Sequence, residues 1–155
     1  MTIMKKMFFI ALAAISLMGA ACNDDDNNGT DTIIQATDLP QAARSFVETH
    51  FPGATYTRVE KQSRADSDGS IYDVQLSNGF EIDFTAQGAW TDIDGNHQAI
   101  PAAIVPASIS QYVTANYASQ SVTNIGIERH GYDVELSNDV ELVFNTNGQF
   151  IRIDR

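Results

Sequence analysis

The sequence predicts an α+β fold of two tandem α-β-β-β-β repeats, with the helices packed on one face of antiparallel sheet and the other face open. Three observations carry this prediction. Tyr72-Asp73-Val74-Gln75-Leu76-Ser77-Asn78 returns as Tyr132-Asp133-Val134-Glu135-Leu136-Ser137-Asn138. Each copy is preceded by an apolar stripe of helical period that begins at a proline, Pro40 or Pro106. Around each motif lie short runs of alternating apolar and polar residues, punctuated by Asn, Asp and Gly. A supersecondary unit used twice, each copy too small to stand alone, accounts for the self-similarity.

The N-terminus carries export signals. Lys5 and Lys6 precede an apolar stretch from Met7 to Met18, and Gly19-Ala20-Ala21 supplies small residues for cleavage. The stretch is too short to remain as a membrane span. Leu17-Met18-Gly19-Ala20-Ala21-Cys22 resembles a bacterial lipoprotein signal, although Gly19 stands where that signal has a large aliphatic residue. The resemblance implies that Cys22, the only cysteine, is a lipid anchor; ordinary cleavage with a free thiol is the alternative. A single cysteine cannot form an internal disulfide.

Asn23-Asp24-Asp25-Asp26-Asn27-Asn28-Gly29 is polar and self-repelling, suited to a solvated spacer. It also resembles the acidic export signals of Bacteroidetes lipoproteins. The expected organisation is a signal peptide over 1–21, a flexible tether over 22–36, a first repeat over 37–95, a linker over 96–104 and a second repeat over 105–155. Loss of Lys5 and Lys6 with the signal takes the formal charge from −11 to −13. Such a field repels polyanions, so no nucleic acid is expected as partner, and membrane contact is expected only through the N-terminal lipid. A monomer is expected.

Thr37-Asp38-Leu39-Pro40 reads as a helix start, with Asp38 as cap and Pro40 in the first turn. Ala43, Phe46, Val47 and Phe51 form its apolar stripe, and Pro52-Gly53 ends it. The second helix has Ile109, Tyr112, Val113 and Tyr117 in its stripe but Ile104 at the cap position, so it should fray more easily. In the first copy strands are expected over 55–62, 71–76, 80–85 and 89–93, with Asn78-Gly79 as a two-residue hairpin turn.

Alternation then sorts the faces. Val59, Tyr72, Val74, Leu76, Phe80, Ile82, Phe84 and Ile93 should meet the first helix, and Ile125, Tyr132, Val134, Leu136, Val140, Leu142, Phe144 and Ile153 the second. Tyr56, Arg58, Glu60, Asp73, Gln75, Glu81, Asp83, Trp90 and Asp92 should point away, with Asp133, Glu135, Glu141, Val143, Phe150 and Arg152 in the second copy. An acidic surface carrying Trp90 and Phe150 at equivalent positions would suit protein binding, since aromatic anchors in a polar field resemble interface hot spots. The alternative is an ordinary solvated face. The segment 63–70 replaces a short turn of the second copy. Its Asp66 and Asp68 form either an acidic finger toward a partner or a loop without one.

These features together resemble the β-lactamase-inhibitor-like, PepSY-like periplasmic proteins of Bacteroidetes. The resemblance covers 37–155 and rests on the Leu39-Pro40 helix start, the Tyr72 to Phe84 hairpin and Gly88-Ala89-Trp90. It implies two units side by side in one larger curved sheet. Inhibitors of that architecture bind enzymes with the open sheet and its loops, and PepSY domains are associated with protease inhibition or regulation. No inhibitory motif in this sequence carries that activity over.

Chemistry-bearing patterns are sparse. Asp92-Ile93-Asp94-Gly95-Asn96 has oxygen ligands at alternate positions, as in the opening of a calcium loop, but lacks the terminal glutamate. Asp92, Asp94 and Asn96 are therefore weak metal candidates, and no metal site is expected. His50, His97 and His130 form no zinc-like pair, and neither a phosphate loop nor a nucleophile elbow is present. The expectation is a non-catalytic envelope lipoprotein without cofactor. It would bind a protein through Tyr56, Trp90, Phe150, Asp66, Asp68, Glu81, Asp83 and Arg152, or alternatively sense a small ligand or calcium with its acidic face.

Overall fold

The structure is a computed structural model, and it describes residues 30–154. The signal peptide, Cys22 and the first part of the tether lie outside those residues. Nine strands form a single antiparallel sheet in strict sequence order: β1 (Thr32–Ile33), β2 (Tyr56–Lys61), β3 (Ser70–Leu76), β4 (Glu81–Thr85), β5 (Trp90–Asp94), β6 (Val122–Glu128), β7 (Gly131–Leu136), β8 (Glu141–Asn145) and β9 (Phe150–Asp154). Helix α1 (Gln41–His50) precedes β2 and helix α2 (Ala107–Asn116) precedes β6. The fold is thus α+β, with two helices and an open sheet.

Both helices cover the same face. Ala43 and Val47 of α1 and Ile109 and Val113 of α2 join one core with Val59, Val74, Ile82, Phe84, Ile93, Ile125, Val134, Leu142 and Phe144. The ring of Phe46 meets Phe84 edge-on at 5.9 Å, and Tyr112 meets Phe144 in the same way at 5.5 Å. Burial alternates along β3 in strict period two, which is the sequence pattern written into space.

Four hairpin turns share one design. Leu76, Thr85, Leu136 and Asn145 each accept a hydrogen bond from the third loop residue and donate to the residue after it. The third loop residues are Gly79, Gly88, Asp139 and Gly148, all in left-handed backbone. These are three-residue loops, so the two-residue turn expected at Asn78-Gly79 is one residue too short. Gly88 is doubly constrained, because a Cβ there would also lie 2.8 Å from the Ala43 nitrogen of α1.

Three other expectations need correction. The helices start one residue beyond their prolines, with Pro40 and Pro106 as caps and no side-chain cap bond in either. Asp38 instead sits in a short 3-10 turn and accepts from the Gln35 amide, so a missing acid gives α2 no reason to fray first. The end of the tether is ordered: β1 pairs with β2, and Ile34 packs against the core. Ile153 points toward the helix side opposite Leu142, as expected, yet is 46% exposed. Its counterpart Ile93 is fully buried because β6 lies beside β5, whereas no described strand lies beyond β9.

Candidate functional site: the uncovered face of the sheet

The face turned away from the helices is built from two rows of side chains that run across the strands. The register places Glu60, Asp73, Asp83, Asp92, Gly126, Asp133, Val143 and Arg152 in one row. Arg58, Gln75, Glu81, Asp94, Asn124, Glu135, Glu141 and Asp154 form the other. Asp73, Asp83 and Asp92 are direct neighbours on three successive strands, and Glu81 faces Asp94. Like charges placed opposite one another destabilise a sheet, so this arrangement carries a cost that core packing does not require.

Local contacts offset part of this charge. Arg58 pairs with Glu60 at 2.8 Å, Arg152 with Asp154 at 3.2 Å, and the His130 Nε2 lies 2.7 Å from Asp133. Gln62 donates to Asp73 Oδ2 at 3.1 Å, while Asp73 Oδ1 is buried without a hydrogen-bond partner. Burial first, and the Asp94 carboxylate next, push the Glu81 carboxyl above the ordinary carboxylate range; a hydrogen bond from Asn96 opposes them. Gly126 leaves a gap in the first row, and Asp92 leans into it: a Cβ on Gly126 would stand 2.9 Å from Asp92 Oδ1.

The ends of this face are bounded by loops. At one end, the segment after β2 is folded by hydrogen bonds. Asp31 accepts from the Ser63 amide at 2.9 Å, and Asp68 accepts from both the amide and the hydroxyl of Ser70. Asp66 accepts from the Gly69 amide, repeating the three-residue turn of the other hairpins. Glu128 at the same end is raised by burial first, then by Asp133, with Asp68 adding and His130 and Arg129 opposing. The 63–70 loop and the β6–β7 turn therefore border a common rim.

At the other end, Asp94, Asn96, His97, Thr123 and Glu135 line an open cavity of about 70 Å³. Asp94 Oδ1 accepts from the Asn96 amide at 2.7 Å, and the Asn96 side chain donates to the Gly79 carbonyl at 2.6 Å. Asn96 thus ties the strand-ending turn to the neighbouring hairpin. Among the described residues, no group of three or more His, Cys, Asp or Glu side chains is placed to hold a metal ion.

Glu81, Asp83, Asp92 and Arg152 stand on the uncovered face as the alternation predicts, and Asp94 joins them. The aromatic residues do not. Bulges at Thr57, Thr91 and Ile151 shift the alternation by one residue and put Tyr56 opposite Leu76, Trp90 opposite Phe84 and Phe150 opposite Phe144. All three therefore lie on the helix side. Phe150 stacks on Tyr112 at 4.5 Å, Trp90 packs against the core, and the Tyr56 hydroxyl is buried without a partner. Burial first, then Glu48 of α1, raise the Tyr56 pKa. Thr57 and Thr91 stand where extra residues fit, and their hydroxyls donate to the Gln75 and Asp83 carbonyls. For Tyr56 and Trp90 a threonine interrupting the alternation was the available clue; at Phe150 the extra residue is Ile151, which gives none.

Two helices on one face of an open nine-strand sheet place the chain in the α+β class. The chain belongs to the family described as "Putative beta-lactamase-inhibitor-like, PepSY-like", whose model matches residues 27–68 and 70–152. A structure from Bacteroides thetaiotaomicron, described as a "putative calcium-regulated periplasmic protein", is 36% identical with a TM-score of 0.74, covering 81% of this chain and 97% of the other. A periplasmic protein of unknown function from Bacteroides vulgatus is 30% identical with a TM-score of 0.75, over 81% of this chain and all of its own. A second from that organism, of the DUF2874 family, is 34% identical with a TM-score of 0.72, over 86% and 100%. No curated protein matches the chain. The periplasmic relatives support a cell-envelope location.

Proposed function

We propose that the protein is a non-catalytic binding module of the cell envelope, lipid-anchored at Cys22. Its uncovered face engages a protein partner that presents a basic surface, with the 63–70 loop at the rim. One observation carries the reading: Asp73, Asp83 and Asp92 stand side by side across β3, β4 and β5 on a face that neither helix covers. A cationic partner would complement the negative potential of this row. The inhibitor-like family fits a partner that is itself an enzyme. The test is capture from envelope extract by wild type and by Asp83→Asn/Asp92→Asn. Capture should fall at least tenfold in the variant and decline with added salt, while the variant's thermal midpoint stays level or rises. Undiminished capture by the variant would remove the acidic face from the reading.

A second reading has a specific observation behind it. Asp73 Oδ1 is a buried carboxylate oxygen without a hydrogen bond, and a relative of 36% identity is described as calcium-regulated. In this reading the acidic face around Asp73 senses calcium by loose association, since the described residues offer no preformed group of three or more acidic or histidine ligands. Calorimetry with calcium separates the two: heat at millimolar calcium that vanishes in Asp73→Asn supports it, and no heat in wild type discards it.

A further inference from the structure

The two borders of the sheet are protected very differently. At one border β1 contributes only Thr32 and Ile33, a stub too short to template another strand. At the other, β9 is five residues long and exposes three apolar side chains: Phe150 at 36%, Ile151 at 48% and Ile153 at 46%. The fold itself shows what such a border accepts. Thr91 and Ile93, which occupy the positions of Ile151 and Ile153 in the first half, are 5% and 0% exposed, because β6 runs alongside β5. At the centre of that junction Ile93 faces Ile125 on the helix side. Gly95 donates its amide to the Thr123 carbonyl of β6, so by alternation the amide and carbonyl of Ile93 also face β6. The same groups of Ile153 face outward from β9.

We propose that β9 pairs antiparallel with β9 of a second copy about a two-fold axis through Ile153, perpendicular to the sheet. This register sets Ile153 against its own symmetry mate, reproducing the Ile93–Ile125 contact on the helix side. On the uncovered face it sets Arg152 opposite Asp154 of the second copy, twice over. A register shifted by two residues would instead oppose Arg152 to itself, so charge selects the Ile153-centred one. The two-fold also keeps all four helices on one side of an eighteen-stranded sheet. Adding β1 of another copy to β9 is disfavoured: with nine alternating strands β1 and β9 run the same way, so same-facing copies would pair in parallel and in open-ended fashion. The expected monomer gives way to a weak dimer that joins two acidic faces edge to edge.

Sedimentation velocity of the folded chain from micromolar to millimolar concentration tests the proposal. Wild type should dimerise reversibly. Arg152→Asp, which opposes two carboxylates at both pairs, should weaken the dimer at least tenfold, and Arg152→Asp/Asp154→Arg should restore it to within about threefold. Arg152 is half-exposed and Asp154 largely covered on the border strand, so a cooperative thermal transition in each variant, measured at low micromolar protein, confirms folding. A monomer at every concentration overturns the proposal. A dimer indifferent to Arg152→Asp, or one abolished by Ile33→Lys, also overturns it, since the contact then lies elsewhere.

Discussion

Replacing Phe150 by alanine should lower the stability of the domain substantially, because the ring is part of the second helix's packing. It stacks on Tyr112 at 4.5 Å with planes 11° apart and meets Phe144 edge-on at 6.0 Å. A fully buried Phe→Ala change costs about 3–5 kcal/mol. With 36% of the residue exposed, roughly two-thirds of that remains, about 2–3 kcal/mol. For a domain of this size each kcal/mol moves the thermal midpoint by roughly 3–5 °C, giving a drop of roughly 6–15 °C. Chemical and thermal denaturation at low micromolar protein, below the range of self-association, provide the assay. A double-mutant cycle with Tyr112→Ala should return a coupling of about 0.5–1.5 kcal/mol. A midpoint within 2 °C of wild type would refute the packing role and return the ring to the solvent-facing part its sequence position suggested.

Ile93→Ala should cost about 3–4 kcal/mol and Ile153→Ala no more than half of that by urea denaturation of dilute protein, since a neighbouring strand buries only the first. Gly148→Ala should destabilise by more than 1 kcal/mol, as the backbone is left-handed and the added methyl would collide with Ser108, whereas Asp139→Gly should gain roughly 0.5 kcal/mol at the same turn position. The carboxyls of Glu81 and Glu128 have folded-state pKa values above their unfolded ones, so the unfolded chain releases those protons first as pH rises. The contribution of these two groups should therefore be fully present below the ordinary carboxylate range and be lost as pH climbs through the raised values; the midpoint should gain as pH is lowered toward that range, and gain less in Glu81→Gln.

Alternation and turn residues were enough to place most of the fold. Val59, Val74, Ile82 and Phe84 obey period two between their turns, and the helical stripes of Ala43–Val47 and Ile109–Val113 meet them. The acidic half of the uncovered face was legible for the same reason. The aromatic half was not, because a bulge inserts one residue and reverses parity for everything on one side of it. Trp90 and Phe150 sit just before such an insertion, so a correct strand assignment gave the wrong face for both. The short β1 was hidden for a different reason. Thr32 and Ile33 have no partner pattern nearby in sequence, and their pairing with Lys61 and Glu60 is a long-range contact. The common rim formed by the 63–70 loop and the β6–β7 turn likewise depends on the spatial order of strands.

That order has a mechanical consequence. Because the strands follow one another without a crossover, the polypeptide joins the sheet at one flank and leaves it at the far flank, eight strand spacings away. At about 4.8 Å each this is a span of roughly 38 Å before twist is allowed for. Tension applied from the N-terminal side would fall first on the two-residue β1 and the Asp31–Ser63 contact, leaving the distant flank and its isoleucines undisturbed.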